Sequence, residues 1–185
     1  MKKNYIFLAD GFEELEALSV VDVLRRAGMD ITMVSINDTA TVTGAHGVAF
    51  LADAMFTDVN LNDADWLICP GGMPGATNLH ECDALTEALR AHAADGGNIA
   101  AICAAPAVVL AQAGILNGKN ATCYPGFEEI CKAGGAKVAS TPVVIDGNII
   151  TANGPATAIR FALAIVKETL GEPCMQDVAG GMLLE

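Results

Sequence analysis

The sequence predicts an α/β domain: a doubly wound, mostly parallel sheet with helices on both faces. Three observations point there. Short apolar runs alternate with helix-periodic segments along the whole chain. Hydrophobic residues make up 52% of the chain but aromatics only 5%, so small aliphatic side chains must fill the core, as they do around parallel strands covered on both sides. And 185 residues suit one domain, here taken as 1–185, with a sizeable core.

The elements follow in order. Residues 4–9 read as a buried strand that Asp10-Gly11 ends. An amphipathic helix runs from about Glu13 to Ala27 and stops at Gly28. Residues 30–36 make the next strand, and Thr41 to Ala52 two short ones around Gly44 to Gly47. Asp65 to Cys69 is a buried strand closed by Pro70-Gly71-Gly72. A helix over about Cys82 to Ala94 ends at Gly96-Gly97, and Asn98 to Ile102 is a strand. Cys103 leads into a helix with Pro106 near its first turn and Gly114 as its stop. Asp146-Gly147, between apolar β-branched runs, gives a hairpin over Val143 to Thr151. Asn153-Gly154-Pro155 opens the last long helix, to about Leu170, and a short helix follows from Pro173.

Charge and composition exclude several roles. Ten basic against 22 acidic residues give a formal net charge of -12, the wrong sign for a nucleic-acid groove or an anionic membrane surface. The apolar run after Lys2-Lys3 stops at Asp10, short of the roughly 7–15 residues of a secretory signal core. No stretch approaches the roughly 20 apolar residues of a membrane span, and a cytoplasmic protein is expected. The six cysteines lack Cys-x-x-Cys spacing, and His46, His80 and His92 show no ligand pattern. No metal site is therefore expected, and the cysteines are expected as reduced thiols.

In doubly wound sheets ligands bind beyond the carboxyl ends of the strands. Asp10-Gly11, Pro70-Gly71-Gly72, Cys103 and Asn153-Gly154-Pro155 all fall there. Cys103 stands between a strand and a helix N-terminus, the geometry of a nucleophile elbow. The helix dipole would hold its pKa below the free value of about 8.5. The alternative is a small buried hydrophobe, the usual fate of a free cysteine.

Glu16 shares a helix face with Phe12, Val20, Val23 and Ala27, so desolvation would raise its pKa and fit it to move protons. A solvated surface position is the other reading. Gly71-Gly72 reads either as a backbone oxyanion donor, paired with the N–H of Ala104, or as a plain tight turn. Glu13 and Glu14 read as offsetting the helix dipole, and Cys123 as the one other cysteine that could reach the site.

These segments (Gly11-Phe12-Glu13-Glu14-Leu15-Glu16, Pro70-Gly71-Gly72, Ala100 to Pro106 and Asn153-Gly154-Pro155) resemble, in order and context, the ThiJ/PfpI family. The match is closest to its parkinsonism-associated protein deglycase branch, over about residues 4 to 180. The resemblance implies a flavodoxin-like, class I glutamine-amidotransferase-like sandwich, usually a homodimer. It implies a reactive Cys103 hydrogen-bonded to a protonated Glu16, Gly72 and Ala104 as oxyanion donors, and Gly71, Tyr124 and Asn153 around the substrate.

Activities attributed to that branch are cofactor-free glyoxalase III conversion of methylglyoxal to lactate and deglycation of glyoxal-modified proteins. Stress sensing by cysteine oxidation to sulfinate and chaperone activity are also attributed to it. Some members carry an older label as thiazole monophosphate biosynthesis proteins, which no motif here supports. Many relatives have a histidine where this chain reads Tyr124, so acid–base work would rest mainly on Glu16. The protease-like branch has a histidine directly after its cysteine; Ala104 stands there instead, against peptidase activity.

Overall fold

The computed structural model describes residues 2–184. β1 (Lys3–Leu8) is buried from Asn4 onward, as a central strand must be. α1 (Glu14–Arg26) lays Glu16, Val20, Val23 and Leu24 against the sheet, and Gly28 ends its turn at φ 75°. β2 (Ile31–Ser35), β3 (Thr41–Thr43), β4 (Ala49–Leu51) and β5 (Ala54–Met55) follow. β3 and β4 form the expected small hairpin, whereas β5 adds a sheet strand that two residues could not announce.

β6 (Ala64–Cys69) leads through Pro70-Gly71-Gly72 into α2 (Gly75–Glu81), then α3 (Asp83–Ala94) and β7 (Asn98–Ile102). α2 was not expected, because a single short helix opening on Gly75 shows no periodicity. The helix expected to run to Gly114 is instead a short π-type segment over Pro106–Ala111, followed by turns. Also unforeseen are β8 (Asn120–Ala121), α4 (Glu128–Ala133) and β9 (Lys137–Val138), a small strap of very short elements. β10 (Val143–Asp146) and β11 (Ile149–Ala152) make the expected hairpin, and α5 (Ala158–Leu170) and α6 (Glu172–Gly181) close the fold.

The seven-stranded sheet has the order β10-β11-β7-β6-β1-β2-β5, parallel throughout except for β10. α1 and α6 flank α5, while α2, α3 and the Pro106–Ala111 segment form the other layer. This is the flavodoxin-like arrangement expected. Register then places the site: Leu8 lies beside Ser35, Cys69 beside Ala101, and Ile102 beside Ala152. The four unusual segments therefore leave the sheet at one edge. Among the described residues, no helix is long and apolar enough to cross a membrane.

Candidate active site

Cys103 is the first residue beyond β7, and it is held at φ 65°, a left-handed conformation that is costly for a side-chain-bearing residue. Backbone bonds fix it on both sides. Its N–H donates to Ala152 at 2.9 Å, and its carbonyl accepts from the Tyr124 N–H at 2.7 Å. Cys103 is 9% exposed, so it lies at the margin of the core, just beyond the carboxyl end of β7. Cys103 thus occupies a tight turn between β7 and the Pro106–Ala111 segment.

Glu16 is fully buried. Its Oε2 accepts the Gly71 N–H at 2.7 Å and its carboxyl is hydrogen-bonded to Cys103, while Oε1 has no hydrogen-bond partner. A Cβ on Gly71 would lie 2.6 Å from Cys103 Cβ and 2.7 Å from Glu16 Oε2, so only glycine lets the three approach. At Gly72 (φ 88°) a Cβ would lie 2.4 Å from the Glu13 nitrogen. The Gly71 N–H is thus committed to Glu16, and the amides that reach Sγ are those of Gly72 and Ala104.

Burial pushes Glu16 up to about 7 against the opposing hydrogen bonds from Gly71 and Cys103. Burial also raises the Cys103 thiol, Glu16's charge and hydrogen bond add to it, and the two amides oppose, leaving it at about 12. The expectation of a thiol below its free value is therefore reversed while Glu16 is ionised. The π-type segment after Cys103 is short, and its dipole does not outweigh burial beside a carboxylate.

The two groups form one unit, however, because two of the three raising causes vanish once Glu16 is protonated. The pair sheds its first proton near pH 7 and keeps the second. The remaining negative charge has two seats, Oε2 backed by one amide and Sγ backed by two.

Tyr124 keeps its ring 44% exposed, edge-on to Phe127 and beside Gly154. Asn153, next along from Ala152, points its Oδ1 at Thr157 Oγ1 (3.2 Å), which commits that acceptor within the loop. Glu14 does more than offset a dipole. Its oxygens accept the His46 N–H and meet the His46 ring, both at 2.8 Å, pinning the β3–β4 turn onto α1. Burial raises Glu14, but these bonds outweigh it and the carboxyl ends below its ordinary value. Glu13, Glu14 and His46 also have the donor types to hold a cation, although both Glu14 oxygens are already engaged. Helix-to-hairpin pairing over such a sequence separation left no trace in local spacing.

The model of the DJ-1/PfpI family matches residues 2–168. The chain belongs to the DJ-1/PfpI family. It is 38% identical to Protein DJ-1 homolog B of Arabidopsis thaliana over 99% of its own length, and spans 42% of that longer protein. It is 39% identical to the glutathione-independent glyoxalase DJR-1.2 of Caenorhabditis elegans, over 87% of this chain and 84% of that one. Among solved structures, oxidized Toxoplasma gondii DJ-1 superposes with a TM-score of 0.94 at 37% identity, covering 99% of this chain and 98% of the other. A DJ-1/PfpI member with a glyoxalase-named relative is thus established.

Proposed function

We propose that the protein is a cofactor-free glyoxalase of the glyoxalase III and deglycase type, using Cys103 as nucleophile and Glu16 as proton shuttle on methylglyoxal or its adducts. The observation that carries this reading is the Cys103–Glu16 pair, a thiol at the margin of the core beside a buried carboxyl set at about 7. A base poised near neutral pH is best matched to proton transfer there. The glyoxalase-named relative supports the same reading.

Sγ adds to the aldehyde carbon while its proton passes to Glu16, giving a hemithioacetal. The amides of Gly72 and Ala104, which face Sγ at rest, are the donors available to the oxygen of the adduct. Glu16 then carries the C1 proton to C2 through an enediol, forming a 2-hydroxy thioester. Water cleaves the thioester, so methylglyoxal and water become lactate and a proton, and the thiol is restored. Tyr124 and Asn153 would border the substrate.

The test is incubation with methylglyoxal in glutathione-free buffer and enzymatic assay of lactate. Lactate accumulating well above the protein-free control is expected; none above it overturns the proposal.

A second reading, an oxidative-stress sensor or redox-regulated chaperone, is favoured by the oxidized state of the Toxoplasma relative. Amides aimed at Sγ would also hold sulfinate oxygens. Peroxide should then add two oxygens to Cys103 before any other cysteine carries two, as read by peptide mass mapping; a sulfinate formed earlier on another cysteine removes this reading. In either case we propose a cytoplasmic homodimer, with Leu15, Val48 and Leu51 as exposed apolar positions for the second copy. Sedimentation at the mass of one chain would remove the dimer.

A further inference from the structure

A second pair of sulfurs lies beside the site. Cys123 follows β8 and Cys131 sits on α4, 5% and 0% exposed. Backbone bonds bring them together. The Phe127 N–H donates to Tyr124 at 3.1 Å and the Cys131 N–H to Phe127 at 3.3 Å, folding the chain back over position 123. On the far side the Ala136 N–H donates to the Cys131 carbonyl at 3.0 Å, and β9 pairs in parallel with β8. α4 is thereby strapped onto the strand from which Cys123 emerges, and the two thiols are brought close enough for each to perturb the other.

We propose that Cys123 and Cys131 are a reversible dithiol–disulfide couple, closed by hydroperoxides and distinct from Cys103. A sulfur pair that the backbone already holds side by side needs no partner from outside to join. The hydrogen bond from Cys131 favours the Cys123 thiolate and holds the proton on Cys131, which assigns the roles. Cys123 Sγ attacks a peroxide oxygen and the O–O bond breaks, leaving a sulfenic acid on Cys123 and releasing an alcohol or water. Cys131 Sγ then attacks the sulfenyl sulfur. The S–S bond forms, the S–O bond breaks, and hydroxide leaves with the Cys131 proton as water. Two electrons pass from the thiols to the peroxide, and an external thiol reverses the step.

The couple adjoins the Cys103 turn, since Cys123 directly precedes Tyr124, whose N–H holds the Cys103 carbonyl. Both cysteines also lie between Lys119 and Lys132 with no other Lys or Arg between them, so trypsin releases them on one peptide, 120–132.

The test uses the full chain carrying Cys103→Ala, so that its outcome is independent of the proposed catalysis. The protein is titrated with hydrogen peroxide while circular dichroism confirms the fold, then denatured, alkylated with iodoacetamide and digested. The expected product is peptide 120–132 lighter by two hydrogens and without alkyl groups. It should turn into the doubly alkylated form when dithiothreitol precedes alkylation. Adding Cys131→Ser should abolish the lighter species. Persistence of the doubly alkylated peptide across the titration overturns the couple, as does Cys123 carrying two or three oxygens beside an alkylated Cys131.

Discussion

Cys103→Ala is expected to lower lactate formation from methylglyoxal by at least about 10³-fold, to the protein-free rate, as loss of a nucleophile does where no neighbour replaces it. No other thiol is placed to take over. Cys69 and Cys131 are fully buried, and Cys123 is engaged with Cys131. The variant should still fold. Cys103 occupies its left-handed conformation because backbone bonds to Ala152 and Tyr124 hold it there, and alanine keeps both bonds. Cys103→Ser separates nucleophile from shape: its hydroxyl can keep the contact with Glu16, yet Glu16 at about 7 is too weak a base to ionise it. Lactate assays on folded Ser and Ala variants should therefore both read as background. Turnover equal to wild type in either one would remove Cys103 from the reaction.

The parts of this site that the sequence makes legible are those written in residue type. Cys103 between an apolar run and Pro106, Gly-Gly after a buried strand, and a glutamate spaced with Val20 and Val23 all follow from local pattern, and the mostly parallel, doubly wound sheet needed only the α/β alternation. What stayed hidden was set by backbone donors and long-range contact. No side-chain signal shows that the Gly71 N–H goes to Glu16 while those of Gly72 and Ala104 go to Sγ. The clamp of Glu14 on His46 and the contact of Cys123 with Cys131 depend on how a hairpin and a two-residue ladder fold back. The thiol's titration is hidden for the same reason. Helix dipole and free amides are readable locally, but the depth of burial and the charge of Glu16 are tertiary facts, and with Glu16 ionised they dominate.

Glu16→Gln puts that tertiary balance to measurement, with opposite expected effects on activity and stability. The amide keeps an oxygen for the Gly71 N–H but cannot accept the thiol proton or move it from C1 to C2. Turnover should fall by about 10²–10⁴-fold, the range for loss of a general acid–base group. Cys103 alkylation should lose any inflection near pH 7, where the wild-type pair sheds its first proton, and follow a single rise below about 12, because the charge and hydrogen bond of Glu16 that push the thiol up are gone. Stability should move the other way. Burial sets Glu16 at about 7 in the folded protein against an ordinary value of 4.5, so between those pH values the folded chain binds more protons than the unfolded one. Its contribution is fully present below 4.5, falls as pH rises, and is lost above about 7. A shift of that size is worth on the order of 3 kcal/mol. Glutamine carries no charge to bury, so the variant should be the more stable protein at pH 8 and lose that advantage at pH 5. Urea midpoints of both proteins at the two pH values give the difference directly, with every other titrating group common to both. An unchanged alkylation profile together with parallel pH–stability curves would mean that the carboxyl is neither buried as a titrating group nor coupled to the sulfur.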